Sequence, residues 1–151
     1  MFSDSFLDEN YTLIKKLGEG GCGSAYLAQS KKLKKRSNKV FLMDMEQKSR
    51  QLMEQEGIIL QKLSHPNIVK CYETKIIEDK AYIIMEYADG GDLQLKINEH
   101  KLKHIPIKEE NILNWFIEMC EAINYIHSQK IIHRDLKPNN IFDDMLFLNY
   151  F

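Results

Sequence analysis

The 151-residue chain has no excess of either charge: 21 Lys and Arg stand against 22 Asp and Glu. Without a net field of one sign, bulk electrostatics favour neither nucleic acid nor an anionic membrane as partner. Cysteine is scarce too. Cys22, Cys71 and Cys120 are odd in number, far apart and without metal-ligand spacing, so neither a disulfide framework nor a zinc site organises the chain. Reduced thiols of an intracellular protein, cytoplasmic by first expectation, are the reading they support. No apolar run approaches the length that crosses a bilayer, and the start "MFSDSFLDEN" carries acids where a secretory signal carries a basic region. Internal repeats and low-complexity segments are absent. These gaps exclude repeat, membrane-spanning, disulfide-scaffold and nucleic-acid-coating classes, and leave a folded domain or a piece of one.

The material for a core is present. Apolar residues make up 44% of the chain and charged residues 28%, a balance suited to a soluble globular fold. "YTLIKKLGEGGCGSAYLAQS" reads as a strand, a glycine-rich turn and a second strand over Ala25–Gln29. "KVFLMDM" suits a third strand. "EQKSRQLMEQEGIILQKL" has helical spacing, with Leu52, Glu56, Ile59, Leu60 and Leu63 on one side. "IVKCYETKIIEDKAYIIMEY" alternates and turns at Glu78–Lys80, as a β-hairpin does. After Pro106, "EENILNWFIEMCEAINYIHSQ" lays Ile112, Phe116, Ile117, Cys120, Ile123 and Ile126 along a wide helical stripe. The basic run "KKLKKRSNK" (31–39) has no interleaved aromatics and reads as a solvated turn between strands. The expected fold class is α+β: a small antiparallel sheet with one helix, then a helical portion.

Two segments carry chemistry. In "GEGGCG", Gly18, Gly20 and Gly23 have G-x-G-x-x-G spacing, which lets backbone approach phosphate oxygens closely. A dinucleotide-binding fold would open a helix here, but "SAYLAQS" looks like a strand. Strand–turn–strand suits a flap laid over nucleotide phosphates. The second segment, "IHRDLKPNNIF", gathers His133, Arg134, Asp135, Lys137, Asn139 and Asn140 between apolar flanks.

Together, "LGEGGCGSAYLA", "HPNIVKCYE", "YIIMEYADGGDL" and "IHRDLKPNNIF" resemble the eukaryotic protein kinase fold, in family order, over about residues 11–142. The finer pattern "HPNIV…YIIMEYADGGDL…ILNWFIEMCEAINYIHS" is most similar to NIMA-related serine/threonine kinases. The resemblance implies an N-terminal extension (1–10), an N-lobe of sheet plus helix C (about 11–85), a hinge (86–92), the start of a helical C-lobe (93–142) and a non-family tail (143–151). It implies ATP and Mg²⁺ as cofactors and a protein bearing Ser or Thr as substrate. Asp135 would be the catalytic base accepting the substrate hydroxyl's proton, Lys137 would neutralise charge on the transferring phosphoryl, and Asn140 would hold magnesium through its amide oxygen. His133 would pack in the core, and Arg134 would meet a phosphorylated loop. On the nucleotide side, Met85 takes the gatekeeper position. The Glu86 carbonyl and Ala88 amide would face the adenine edge, and Asp92 would contact ribose or substrate. Gly18, Gly20, Gly23 and Ala25 would roof the nucleotide, and Glu56 takes the place of the helix C glutamate.

The chain departs from the family at the third strand. The apolar-Ala-apolar-Lys pattern falls on "VFLM", so Met43 stands for the phosphate-clasping lysine and Phe41 for the small residue over adenine. A thioether has no charge to offer a phosphate. Lys39 is the nearest lysine upstream, four residues or about 13 Å along a strand. The D-F-G magnesium ligand, activation loop and A-P-E segment are not found, and "LNYF" (148–151) comes too early for a decayed D-F-G. The expectation is therefore a serine/threonine kinase by family, cut short before D-F-G and weakly active or inactive as written. The alternative is a non-catalytic, kinase-like partner-binding module. The helix at 111–127 is apolar around most of its circumference, which suggests a partner or self-association surface.

Overall fold

The computed structural model describes residues 5–20, 23–32, 37–44, 50–142 and 145–146. Cys22, residues 33–36 of the basic run and the "LNYF" segment lie outside them. Two compact units form, Met1–Lys62 with Lys70–Tyr87 and Leu63–Val69 with Ala88–Phe151.

The first unit is a five-stranded sheet of order β1-β2-β3-β5-β4, antiparallel throughout, with β1 at Tyr11–Gly20, β2 at Gly23–Ser30, β3 at Ser37–Asp44, β4 at Cys71–Ile77 and β5 at Lys80–Glu86. Side chains alternate between its faces. On one face Ala28, Val40, Leu42, Tyr82 and Ile84 form a buried cluster, closed by a short helix α1 (Ser5–Asn10) that inserts Phe6 and Leu7. The Phe6 ring lies 4.8 Å from that of Tyr82, and Lys75 Nζ stands 4.5 Å above it. Two hydrogen bonds fasten the segment: Asn10 Nδ2 donates to the Phe6 carbonyl, and the Lys31 amide to that of Asn10, both at 3.0 Å. Phe6 and Leu7, ahead of the first strand, thus supply part of the core of this unit.

Helix α2 (Arg50–Lys62) packs on the other face against β4. Contact is closest at Gly57, where an added Cβ would meet Thr74 Oγ1 at 2.6 Å and Thr74 Cβ at 3.0 Å. Gln61 Nε2 also hydrogen-bonds Thr74 Oγ1. Of the face expected to be apolar, one residue departs. Leu60 is buried but Ile59 is 36% exposed. In an ordinary helix interior Gly→Ala stabilises by about 0.5–1 kcal/mol. Here Gly57→Ala is expected to destabilise by about 1–3 kcal/mol, because β-branched Thr74 cannot retreat without breaking its bond to Gln61. Urea unfolding checks this, and a stabilised Gly57→Ala chain would contradict the packing.

The second unit holds α3 (Leu93–Leu102) and α4 (Glu109–Ser128). Helix α3 is not read from the sequence, because "LQLKI" alternates with strand-like period. Asp92 decides the matter as N-cap, its carboxylate accepting the Leu95 amide at 2.7 Å. In α4, Ala122 and Ile126 are buried while Ile112, Leu113, Phe116 and Ile117 are each about half exposed. The "SHPN" segment is stapled to α4 through Tyr125. Its hydroxyl accepts the Ser64 amide at 3.1 Å, and its ring lies 5.1 Å from that of His65. Of the described cysteines, both free thiols, Cys71 is buried and pushed up to about 12 by that burial, whereas Cys120 is exposed. No described helix is long and apolar enough to cross a membrane.

Candidate catalytic loop and nucleotide-facing strands

In the second unit, α4 ends in a turn with Lys130 at positive φ (61°), where the Ile131 amide bonds the Ile126 carbonyl at 2.9 Å. The chain then leads into the loop that holds the polar cluster. His133 is 5% exposed. Its carbonyl and Nδ1 share the Asp135 amide at 2.9 and 3.2 Å, so the imidazole is a backbone anchor as well as a core residue. Between them Arg134 takes the left-handed conformation, φ 63°. This turn, rare for a residue with Cβ, brings His133 and Asp135 back on each other. Lys137 is extended, and Pro138 opens a one-turn 3₁₀ helix, Pro138–Asn140, for which its fixed φ is preset.

That turn carries Asn140 back to Asp135. Buried at 6% exposure, Asn140 donates through Nδ2 to the Asp135 carbonyl at 2.7 Å and to Asp135 Oδ2 at 3.0 Å. Lys137 Nζ meets the same Oδ2 at 2.7 Å. The three residues that the family pattern assigns to catalysis therefore converge on one carboxylate oxygen. The Lys137 ammonium first, then the Asn140 amide, hold the Asp135 carboxyl below the usual carboxylate range. Asp135 therefore stabilises this loop above the ordinary carboxylate pKa, and the contribution is lost as pH falls through the depressed value. At neutral pH Asp135 is an ionised acceptor. With Nδ2 engaged, Asn140 Oδ1 is the amide atom left to act as a metal ligand. Beyond the loop, Ile141–Phe142 pairs with Met145–Leu146, and Phe142 bridges to Asp92. Asp92, expected at ribose or substrate, commits one carboxylate oxygen to capping α3.

In the first unit, Gly20 and Gly23 face each other across the β1–β2 turn, and Gly18 pairs with Ala25. Nothing lies within 4 Å of a Cβ added at Gly18, and Gly23 has φ 130°, a conformation that favours glycine. The expected strand–turn–strand geometry is present. Ala25 lies directly opposite Phe41, Met43 opposite Ala81, and Lys39 opposite Met85. The two positions expected over adenine are thus cross-strand neighbours, and no slip brings Lys39 to the place of Met43. Positions 39, 41 and 43 alternate along the ladder with Val40 and Leu42, which belong to the buried cluster, and α2 packs beside Thr74 of β4. Glu56 is half-buried on α2, and Met85 is 2% exposed. Sheet pairing runs through Glu86, whose amide donates to the Lys70 carbonyl at 2.8 Å; Ala88 lies outside any strand. Among the described residues no cluster of three or more His, Cys, Asp or Glu could hold a metal. A magnesium site in this loop would rest on Asn140 Oδ1 together with nucleotide oxygens, oxygen donors suited to that hard cation.

Comparison with known proteins agrees with this geometry. The "Protein kinase domain" family matches residues 11–146. Mouse serine/threonine-protein kinase Nek3 is 40% identical over 137 residues, 89% of this chain and 26% of its own length. Human Nek5 is 36% identical over 136 residues, 89% of this chain and 19% of its own length. Human Nek11 is 34% identical over 146 residues, 93% and 23%. The chain spans about a quarter or less of the length of these relatives. With its four motifs in order, its antiparallel sheet with one helix, and a loop that gathers Lys137 and Asn140 on Asp135, the chain belongs to the protein kinase family, and the relatives it resembles are NIMA-related serine/threonine kinases.

Proposed function

We propose that the chain carries the nucleotide-facing sheet and the catalytic loop of an ATP-dependent serine/threonine protein kinase. The observation that carries this reading is the convergence of Lys137 and Asn140 on Asp135 Oδ2. Asp135, ionised and anchored through the His133 ring and carbonyl, accepts the proton of a substrate hydroxyl. Lys137 sets a positive charge beside the oxygens of the migrating phosphoryl. Asn140 offers Oδ1 to magnesium, which when bound offsets phosphate charge. Gly18, Gly20 and Gly23 let backbone close over the phosphates. By family position, Ala25, Met85 and Glu86 of the sheet serve the adenine, as does the Ala88 amide; Glu56 is the partner of a third-strand lysine, and Asp92 serves ribose or substrate. Protein hydroxyls are the substrate class. Incubation of a Met43→Lys chain, extended through the rest of a kinase domain, with Mg-ATP and a Ser/Thr/Tyr-containing protein such as casein tests the reading. Phosphoserine and phosphothreonine are expected, and phosphotyrosine as the main product would overturn it.

Position 43 favours a second reading, in which the polypeptide binds a partner without transferring phosphate. The register supplies no lysine opposite Ala81, so the charge that would clasp the α- and β-phosphates is missing, and turnover by the chain as it stands is expected to be weak. The half-exposed Ile112, Leu113, Phe116 and Ile117 of α4 provide an apolar face for such a partner or for a second copy. Light scattering that falls to the monomer value on Phe116→Glu would support this face as the contact.

A further inference from the structure

Three successive residues of β4 serve both faces of the sheet. Glu73 accepts the Tyr11 hydroxyl at 3.3 Å and Lys75 stands over the Phe6 ring, both on the side closed by α1. Thr74, between them, meets α2 instead. Its Oγ1 accepts the hydrogen bond of Gln61 Nε2, and its side chain lies against Gly57. Gly57 and Gln61 are four residues apart, so they share one face of the helix, and both reach the same side chain.

Helix stability alone does not call for this arrangement. Gly57 is buried in the middle of α2, where glycine is less favourable than alanine. What its missing Cβ provides is approach, since a Cβ there would meet Thr74 Oγ1 at 2.6 Å. The Gln61 bond by itself accounts for a stabilising contact, but not for the glycine one turn before it. Glu56 immediately precedes Gly57. Over a single turn a helix moves as a rigid rod, so seating Gly57 and Gln61 on Thr74 also fixes where Glu56 stands. On the ladder, Thr74 pairs with Ile83 and Ile83 with Phe41, while Met43 pairs with Ala81, two residues along the strand.

We propose that Thr74 is a positioning residue for nucleotide binding: through Gly57 and Gln61 it sets Glu56 of α2 relative to residue 43 of β3. The proposal rests on the kinase reading above, in which Glu56 partners a lysine at position 43. Thr74 acts through the backbone of α2, not by contact with nucleotide. Met43 carries no charge, so the effect is read in the Met43→Lys chain.

The test is calorimetric titration of Mg-ATP into the Met43→Lys chain, alone and with Thr74→Val, which keeps the β-branched shape and removes the acceptor. Thr74→Val is expected to weaken binding roughly three- to tenfold. Thr74→Ser, which restores the hydroxyl, is expected to keep the Met43→Lys affinity. Gln61→Leu removes the donor without touching the sheet and is expected to match Thr74→Val. The deciding comparison adds Glu56→Gln. Once Glu56→Gln is in place, Thr74→Val should cost nothing further, whereas general damage to the sheet would lower affinity equally in both backgrounds. A Met43→Lys chain that gains no affinity for Mg-ATP would overturn the nucleotide reading and this proposal with it. A gain that Thr74→Val or Glu56→Gln leaves intact, or losses from the two that simply multiply, would overturn the proposal alone.

Discussion

Leu7→Ala is expected to lower the unfolding free energy by about 2–5 kcal/mol, out of a total that for a domain is only about 5–15 kcal/mol. Leu7 is fully buried and, with Phe6, closes the sheet face formed by Ala28, Val40, Leu42, Tyr82 and Ile84. Truncation leaves a cavity that neighbouring strands cannot fill, since their positions are fixed by the ladder. Deleting residues 1–10 is expected to be worse, exposing the whole cluster to water. Urea titration measures the loss, and hydrogen exchange at the Val40 and Ile84 amides locates it. Leu102→Ala serves as control, because Leu102 is 82% exposed and its change should stay within about 0.5 kcal/mol. A Leu7→Ala chain as stable as the Leu102→Ala chain would show that α1 is an appendage. The family match begins at residue 11, and α1 lies ahead of it.

The second large effect concerns transfer itself. In a Met43→Lys chain extended through a D-F-G segment and the rest of a kinase domain, where the phosphate clasp is supplied, Asp135→Asn is expected to reduce phosphate transfer to casein by about a hundredfold to ten-thousandfold, the usual range for a positioned base. Nucleotide affinity should be unchanged by Asp135→Asn. The amide cannot accept the hydroxyl's proton, and it also removes the oxygen that Lys137 and Asn140 share. Equal transfer by the two chains would remove Asp135 from the role of base.

The catalytic loop was legible because its chemistry is contiguous. His133, Asp135, Lys137 and Asn140 fall within eight residues, so their order alone specifies a local cluster, and the structure adds the bonds that tie it together. The strands were legible from alternation and the β1–β2 turn from its glycines. What stayed hidden depends on partners distant in sequence. "SFLDEN" is too short to declare a helix, and nothing local shows that Phe6 and Leu7 find Tyr82 and Val40. In α3, "LQLKI" carries the wrong period, and a cap one residue upstream outweighs it. In α2, Gly57 meets Thr74, seventeen positions later, and Ile59 is left partly exposed, neither of which local spacing shows. The place of Lys39 on the sheet is likewise a matter of register, which composition does not show: Ala25 lies opposite Phe41 and Lys39 opposite Met85.

The measurement closest to the central claim, a protein kinase sheet and loop whose phosphate clasp has lost its charge, is a calorimetric titration with Mg-ATP of the wild-type chain beside Met43→Lys. The wild-type chain is expected to bind more weakly than about 1 mM, and Met43→Lys to bind roughly ten- to a hundredfold tighter, as one restored charge-assisted contact to phosphate allows. Micromolar binding by the wild-type chain, unchanged by Met43→Lys, would contradict it.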